Sequence, residues 1–263
     1  MKNLIWIASY PKSGNTWVRS ILYAALTGKL DINEIGKVVP GFNAYSIVNP
    51  EGGGLPNIEE HAKFWDEAQE KASIVAGNKF QFFKTHSAAC EINSTIFPNQ
   101  NFTAKAIYII RDPRDVALSY ARHFDADIEK TIEIMLDVRN YIGGEMGAEA
   151  LSSWKNHVIS WSSVEFPVLF VRYEDLLTDI NRQLVRIFGF LGIRPKIKRS
   201  ELIAKTKFSY LQAQERSDGF RESVNDQPFF RRGISGEGKI FIGTNFKEME
   251  KEFSDVMSSF DYT

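Results

Sequence analysis

Apolar residues fall in short continuous runs that alternate with segments of helical periodicity. The first run, residues 4–8, is followed by Tyr10 and Pro11, and apolar positions three and four apart then continue through residues 15–27, just before Gly28. A short continuous run is typical of a buried strand, whereas the spacing of three and four is typical of an amphipathic helix that ends at a glycine. The chain therefore opens with a strand, a turn and a helix.

The same order of strand and helix recurs twice. Asp112 and Pro113 have the character of an N-cap and a first helical residue, so the second helix is expected to begin there. The predicted strands are 4–8, 80–83, 106–110 and 168–171, the other predicted helices are 15–27, 128–141, 148–161 and 176–191, and the predicted loops are 31–56, with glycines at 52–54, and 214–243.

Strands that alternate with helices predict a parallel sheet with right-handed crossovers. We expect an α/β fold of three layers, with a mostly parallel central sheet, helices on both faces and a P-loop-like turn after the first strand. The length of 263 residues suits one domain, residues 1–263. In such folds, ligands bind at the carboxyl ends of the strands, so the residues that follow each strand are the candidates for function.

Composition and charge limit the classes of partner that the protein is expected to bind. The 32 basic and 33 acidic side chains nearly cancel, so the chain has no global positive field for nucleic acid or an anionic membrane. Any anion site must be local. Cys90 is the only cysteine, which excludes an intramolecular disulfide and favours the cytoplasm. The first residues lack an apolar stretch long enough for a signal peptide or a membrane span.

The turn after the first strand has the residues of an anion site. Lys12 precedes a glycine and the start of a helix, where free N–H groups and the helix dipole favour phosphate. The alternative is a capped helix with a solvated lysine. A nucleotide triphosphatase loop is excluded, because Pro11 and Trp6 stand where that loop requires glycine.

Three other segments carry candidate chemistry. Arg111 follows a strand and Ser119 lies about two turns into the next helix, so both can face one anion; the alternative is an arginine–aspartate ion pair. His86 ends another strand and is suited to accept a hydroxyl proton near neutral pH; the alternative is a histidine that packs or hydrogen-bonds without catalysing. Arg231 and Arg232 form a basic turn that either folds over a phosphate or is merely solvated.

Together these segments resemble the sulfotransferases that use 3'-phosphoadenosine 5'-phosphosulfate (PAPS), over residues 4 to about 241. The family's phosphosulfate-binding loop Tyr-Pro-Lys-Ser-Gly-Thr-Thr-Trp is matched at seven of eight positions from Tyr10 to Trp17, with Asn15 in place of a threonine. Lys84, Thr85 and His86 are similar to the family's Lys-Thr-His stretch. The resemblance implies a cytoplasmic enzyme that transfers a sulfuryl group from PAPS to a small hydroxyl compound and leaves 3'-phosphoadenosine 5'-phosphate (PAP).

The resemblance also implies a role for each matched residue. His86 would be the general base, Lys84 a second cation on the sulfuryl group, and Lys12 the cation at the 5'-phosphate and the bridging oxygen. The residues implied to bind the donor are Lys12, Ser13, Gly14, Asn15, Thr16 and Trp17 in the first loop, Arg111 and Ser119 at the 3'-phosphate, Tyr173, Thr206 and Phe208 at the adenine, and Arg231, Arg232 and Gly233 in the last motif.

The chain departs from the family pattern after that last motif, where Glu237-Gly238 replaces the usual Asp-Trp. No metal is expected, because histidines are scattered and one cysteine cannot build a thiolate site. Length and the opening residues look like small bacterial sulfotransferases that modify secondary metabolites. The acceptor itself, and the choice between a monomer and a homodimer, stay open at this point.

Three other functions compete with this interpretation. A kinase-like enzyme would use ATP, which would leave the Arg111 and Ser119 pair empty. A nucleotide-binding module without catalysis would not need Lys12, Lys84 and His86 together. A Rossmann-like structural domain would have to gather four phosphate-suited segments by chance.

Overall fold

The computed structural model describes residues 1–52, 54–144, 147–223, 227–240 and 244–262, with the backbone alone at 244 and 245. Parts of the predicted glycine run 52–54 and of the predicted loop 214–243 lie outside the described residues. The described strands are β1 Leu4–Ser9, β2 Gln81–Thr85, β3 Cys90–Ile92, β4 Thr95–Phe97, β5 Thr103–Ile110, β6 Tyr141–Gly144, β7 Gly147–Ala150 and β8 Val168–Arg172.

Helices account for most of the remaining described chain. They are α1 Asn15–Thr27, α2 Ala44–Val48, α3 Ile58–Ala62, α4 Trp65–Ala76, α5 Pro113–His123, α6 Ile128–Leu136, α7 Trp154–Ser162, α8 Tyr173–Thr178, α9 Ile180–Leu191, α10 Arg199–Thr206, α11 Phe208–Asp218 and α12 Thr244–Ser259, with 3₁₀ helices at Ile32–Lys37 and Gly238–Ile240. None of the helices in the described ranges combines the length and the apolar composition needed to cross a bilayer.

The central sheet has the strand order β2-β1-β5-β8, and all its described pairings are parallel. In β1, Trp6 lies between Phe83 on one neighbour and Ala106 on the other. The outer edge of β2 is partly covered by Gly41, which forms a bridge to Lys84. Two separate hairpins, β3–β4 and β6–β7, are antiparallel.

Both faces of the sheet are covered, as the continuous apolar runs predict. Along β1, Trp6 and its alternate neighbours pack into a core with α4, α7 and α12, while Ile5 and Ile7 pack with α1 and α9 on the other side. Every residue of β1 is buried. Side chains of successive strand residues point to opposite faces, so such a strand must be apolar throughout. The expected three-layer α/β fold is confirmed.

Several predicted element bounds were wrong, and capping by side chains explains two of the differences. The helix expected over 176–191 is two helices, because the Asp179 side chain caps Arg182 N–H and begins α9 anew. The helix expected over 128–141 ends at Leu136, and residues 148–150 of the helix expected over 148–161 belong to a hairpin strand instead. The predicted loop 31–56 contains a 3₁₀ helix and α2, each capped by an aspartate or asparagine side chain.

The helices that follow β1 and β5 lie on opposite faces of the sheet. Buried residues of α1 belong to the core that contains Ile5 and Ile7, whereas those of α5 belong to the core that contains Trp6. Because β1 and β5 are neighbours, the chain leaves their carboxyl ends in opposite directions and a crevice opens between them. Ligands of open α/β sheets bind at this switch point. The motifs at Lys12 and Arg111 flank it.

Candidate active site

The turn between β1 and α1 holds backbone N–H groups ready for an anion. Lys12 and Gly14 both have positive φ angles, 65° and 105°. A Cβ on Gly14 would lie 2.7 Å from the Tyr173 ring, so only glycine fits. Among the described residues no side chain caps the first turn of α1. Its free N–H groups and the positive end of the helix dipole therefore face the crevice.

The predicted cradle residues use their side chains in different ways. Ser13 Oγ is buried and has no hydrogen-bond partner within the described ranges. Asn15 Nδ2 instead donates to Ile7 O at 2.9 Å, and Thr16 Oγ1 donates to Glu222 Oε2 at 3.0 Å. Ser13 thus offers its hydroxyl to an anion, while Asn15 has only its backbone N–H to offer.

Lys12 is a partly buried cation at the centre of the crevice. Its ammonium lies 4.1 Å from the centre of the Phe229 ring. Burial and the Arg111 guanidinium lower the pKa of Lys12 to about 8, although the Glu222 carboxylate raises it. Lys12 is therefore charged at pH 7. Interactions between a partly buried ammonium and an anion are stronger than in water.

Residues 219–223 and 227–240 are here called the C-terminal segment. Arg111 connects this segment to the turn between β1 and α1. Its guanidinium donates from Nη1 to Lys12 O at 3.2 Å and from Nη2 to Ile234 O at 3.1 Å, and it lies 4.4 Å from the centre of the Tyr173 ring. Arg111 Nε is buried without a partner in the described chain. Ser119 is half-buried, about two turns along α5. An unpaired guanidinium N–H beside Lys12 is a second donor for an anion.

His86 lies at the end of β2 with one ring nitrogen fixed. Its Nδ1 is 2.7 Å from Ser9 O, and because a carbonyl oxygen only accepts, Nδ1 carries the proton. Nε2 is then the basic atom. Burial and the Lys84 ammonium together lower the pKa of His86 to about 3, so the ring is neutral at pH 7. This is the state required of a general base.

Glu149 joins Lys84 and His86. Its Oε2 lies 3.1 Å from Lys84 Nζ, and its Oε1 accepts from His86 N–H at 2.5 Å. Burial alone would raise the pKa of Glu149, but Lys84, His86 and this hydrogen bond together lower it to about 2. The β6–β7 hairpin therefore places a permanent negative charge beside the predicted base. It also fixes the position of the predicted second cation.

His157 supports His86 from behind. Its Nε2 is 2.9 Å from His86 O, and its Nδ1 is 2.8 Å from Tyr108 Oη. Nε2–H donates to the carbonyl, which leaves Nδ1 to accept from the tyrosine hydroxyl. Burial lowers the pKa of His157 to about 4, so this ring is also neutral at pH 7. Its role is to hold the strand end that carries His86.

The residues expected at the adenine come together around Trp17. The Tyr173 and Phe208 rings meet the Trp17 ring edge-on, at centroid distances of 5.7 and 5.5 Å. Trp17 Nε1 donates to Thr206 O at 2.8 Å, so Thr206 acts through its carbonyl. Gly233 lies against the Phe208 ring, with no space for a Cβ. Aromatic faces gathered beside an anion site suit a nucleotide base.

The two arginines of the basic turn form ion pairs with a carboxylate of the same C-terminal segment. Glu237 lies 2.7 Å from Arg232 and 3.6 Å from Arg231, and Arg122 of α5 approaches it at 3.4 Å. These arginines are therefore gathered at one place. Their predicted phosphate would have to compete with Glu237 for them.

Asp115 explains how the C-terminal segment docks without the family's tryptophan. Its two carboxylate oxygens each accept at 2.7 Å, one from Gly236 N–H and one from Gly238 N–H. A Cβ on Gly238 would collide with the backbone and side chain of Arg114. The segment thus lies directly on the first turn of α5, and a tryptophan at residue 238 would prevent this contact.

Comparison with known proteins identifies the family of this chain. A family model described as the sulfotransferase domain matches residues 2–258. The chain belongs to the sulfotransferase family. This sulfotransferase is 26% identical to sulfotransferase 1E1 of Cavia porcellus over 263 residues, which cover 95% of this chain and 82% of that protein. Human sulfotransferase 1E1 is 28% identical over 262 residues, with the same shares covered. The predicted family and enzyme class are confirmed.

Solved structures share the fold of this sulfotransferase. Mouse sulfotransferase SULT7A1, complexed with PAP, is 21% identical with a TM-score of 0.61, over 98% of this chain and 85% of that one. Retinol dehydratase, in complex with androsterone and inactive cofactor PAP, is 20% identical with a TM-score of 0.63, over 97% and 80%. At these identities the likeness supports the α/β fold and no more.

Four charged or polar residues of this sulfotransferase were missed by the sequence analysis. The sequence pattern did not single out Glu149, Glu222, Arg19 or His157. Glu149 lies 63 residues from His86, and Glu222 lies 206 residues from Thr16. Contacts so distant in sequence leave no local pattern. Glycines at 143 and 144 signal a turn near Glu149, but nothing indicates where that turn packs.

Proposed function

We propose that this sulfotransferase transfers the sulfuryl group of PAPS to a hydroxyl of a small-molecule acceptor, an alcohol or a phenol. Sulfuryl transfer to hydroxyl groups is typical of the family. One observation carries the choice of donor. Ser13 Oγ and Arg111 Nε are buried donors without partners in the described residues, and they follow the two adjacent strands at the switch point. Buried donors are normally paired, so such orphans support a ligand with two anionic groups.

The residues divide between the two anionic ends of the donor. The N–H groups after Gly14, the Ser13 hydroxyl and the Lys12 ammonium would hold the 5'-phosphosulfate, where Thr16 also lies. Arg111 would hold the 3'-phosphate with Ser119, Arg231 and Arg232. The cluster around Trp17 would receive the adenine. PAP in the two solved relatives is in keeping with this assignment.

In the proposed reaction the donor supplies a sulfuryl group, whose bond to the 5'-phosphate breaks as a bond to the acceptor oxygen forms. His86 Nε2 accepts the proton of the acceptor hydroxyl, which its fixed tautomer permits. Lys12 neutralises the charge that develops on the departing phosphate oxygen. Lys84 holds sulfuryl oxygens, and Glu149 keeps the Lys84 ammonium beside His86. Positioning and charge stabilisation carry most of such a transfer.

The acceptor would approach His86 from the side of the β6–β7 hairpin. Ala88 N–H donates to Ala150 O at 2.6 Å, which joins the hairpin to the residues after His86. On its outer side, Gly147 lies against His61 of α3. The β6–β7 hairpin and α3 would form the walls of the acceptor site. We propose that the acceptor is a secondary metabolite with a hydroxyl that reaches His86 Nε2.

The remaining expectations stand as parts of the same proposal. Residues 1–263 form one domain, the chain acts in the cytoplasm as a monomer or a homodimer, and it binds no nucleic acid or membrane. The reaction needs no metal ion, because lysine and backbone donors supply the charge stabilisation.

Acceptor-dependent turnover tests the proposal. We expect the protein to convert PAPS into PAP when phenols and alcohols are added, at a rate unchanged by EDTA. The measurement is chromatographic separation of PAP and of the sulfated acceptor. The same acceptors with ATP in place of PAPS are the control. Phosphoryl transfer from ATP, or consumption of PAPS that is independent of every acceptor, would contradict the proposal.

A further inference from the structure

A carboxylate of the C-terminal segment occupies the 5' end of the proposed donor site. Glu222 Oε2 accepts from Thr16 Oγ1 at 3.0 Å, and Glu222 Oε1 lies 2.6 Å from Arg19 Nη1. The Arg19 side chain is only 6% exposed. A buried arginine thus receives its counter-charge from a residue more than 200 positions away in sequence.

Glu222 is ionised at neutral pH. Burial alone would raise its pKa, but Arg19, Lys84 and the Thr16 hydroxyl together hold the pKa below its usual value. The same carboxylate acts on Lys12, whose pKa it raises. Glu222 is therefore an anion that shares the positive field of Lys12, Lys84 and Arg19. It carries the charge sign that a 5'-phosphosulfate would bring to that field.

Neighbouring residues hold Glu222 in this place. Glu215 of α11 accepts from Phe229 N–H at 2.6 Å, from Phe230 N–H at 2.9 Å and from Ser223 Oγ at 2.8 Å. Phe229 in turn covers the Lys12 ammonium. The described part of the segment is thus anchored on the C-terminal side of Glu222, and the Phe229 ring shields the principal cation of the loop.

The 3' end of the site shows the same arrangement. Glu237, on the same segment, neutralises Arg231 and Arg232. Ile234 O accepts from Arg111. The C-terminal segment therefore supplies its own acceptors to the cations at both ends. Competition is sharpest at Thr16, because a hydroxyl has one proton and cannot donate to Glu222 and to a phosphate oxygen together.

We propose that Glu222 is an internal competitor of the donor, which leaves Thr16 and the field of Lys12 when PAPS binds. This inference rests on the proposed function, since the competitor is defined by the donor site. Apparent affinity for a ligand falls in proportion to the fraction of protein that is ready to bind it. Glu222 therefore sets the donor affinity, and it does so for ligands that carry a 5'-phosphate.

Calorimetry with PAP and adenosine 3'-monophosphate tests the inference in Glu222→Gln. Glutamine keeps the shape but removes the charge, and its neutral amide oxygen is a weaker acceptor for the Thr16 hydroxyl than the carboxylate is. PAP should bind about tenfold more tightly, the factor expected if Glu222 fills the site about nine-tenths of the time. Affinity for adenosine 3'-monophosphate should change less than about twofold, because that ligand leaves the 5' end empty. Glu67→Gln, which removes a carboxylate from an exposed ion pair with Lys71, is the charge control.

The outcomes separate the inference from the proposed function. Unchanged PAP affinity, or equal tightening of both ligands, overturns the role of Glu222 and leaves the donor assignment standing. Absence of PAP binding in wild type and variant overturns both. Thermal unfolding shows whether Glu222→Gln is folded. Glu222→Asp, with its charge on a shorter side chain, should bind PAP with intermediate affinity, and wild-type affinity in that variant would count against the competition.

Discussion

Replacing His86 by asparagine is expected to lower kcat by about 10²- to 10⁴-fold, the usual contribution of a general base. The asparagine amide can take the place of Nδ1–H and donate to Ser9 O, so the strand end keeps its geometry. What is lost is Nε2. PAP affinity, measured by calorimetry, should therefore stay within about twofold of wild type.

The pH dependence of the wild-type enzyme gives a second measure of His86. Burial lowers its pKa to about 3, so the base remains unprotonated as the pH falls from 7.5 to 5.5. An unperturbed histidine would lose activity through a pKa of about 6.5 over this interval. We expect kcat/KM to stay level. A decline centred near pH 6.5, or more than a tenth of the activity retained in His86→Asn, would contradict the assignment.

Replacing Lys12 by methionine should lower kcat by about 10²- to 10³-fold and weaken PAP binding about tenfold. Methionine preserves much of the length and the apolar stem while removing the charge that would meet the departing phosphate. Lys105→Met is a matched control, because Lys105 also lies over aromatic rings but in the amino-terminal half of β5, away from the crevice. That variant should keep wild-type kcat.

The charge on Lys12 also predicts how PAP binding depends on pH. Burial lowers the pKa of Lys12 to about 8, so the ammonium is charged below that pH and neutral above it. PAP affinity should therefore fall as the pH rises from 7 to 9, and Lys12→Met should lose most of this dependence. The same slope in the variant and in wild type would show that another group controls it.

The parts of the site that the sequence predicts are those in which strand, turn and helix are contiguous. Lys12, Gly14 and Arg111 each follow a buried strand directly, and parallel strands end at one edge of the sheet. Their meeting therefore follows from order along the chain. The cluster at Trp17 was implied by family resemblance, since Thr206 and Phe208 lie far along the sequence in no distinctive pattern.

The parts that could not be predicted depend on where surface elements pack. Glu149 reaches His86 because it lies in a hairpin strand where the sequence pattern predicts the start of a helix. The strand has four residues, too few for its pattern to be told apart from that of a helix. Glu222 and Glu237 lie in a stretch that the sequence predicts to be a loop. Their ion pairs with cations of the site are therefore visible only in the folded structure. Asn15 was placed at the anion by resemblance, whereas its side chain turns back to β1.

Comparison of PAP and 5'-AMP binding by calorimetry tests the central claim, that this site holds a nucleotide with two separate phosphates. Wild type should prefer PAP by roughly 10- to 100-fold, the worth of charge-assisted hydrogen bonds to the 3'-phosphate. Arg111→Ala should lose that preference while keeping its affinity for 5'-AMP, and Arg186→Ala on α9 should keep the preference. Equal binding of the two nucleotides by wild type, or an undiminished preference in Arg111→Ala, would contradict the account.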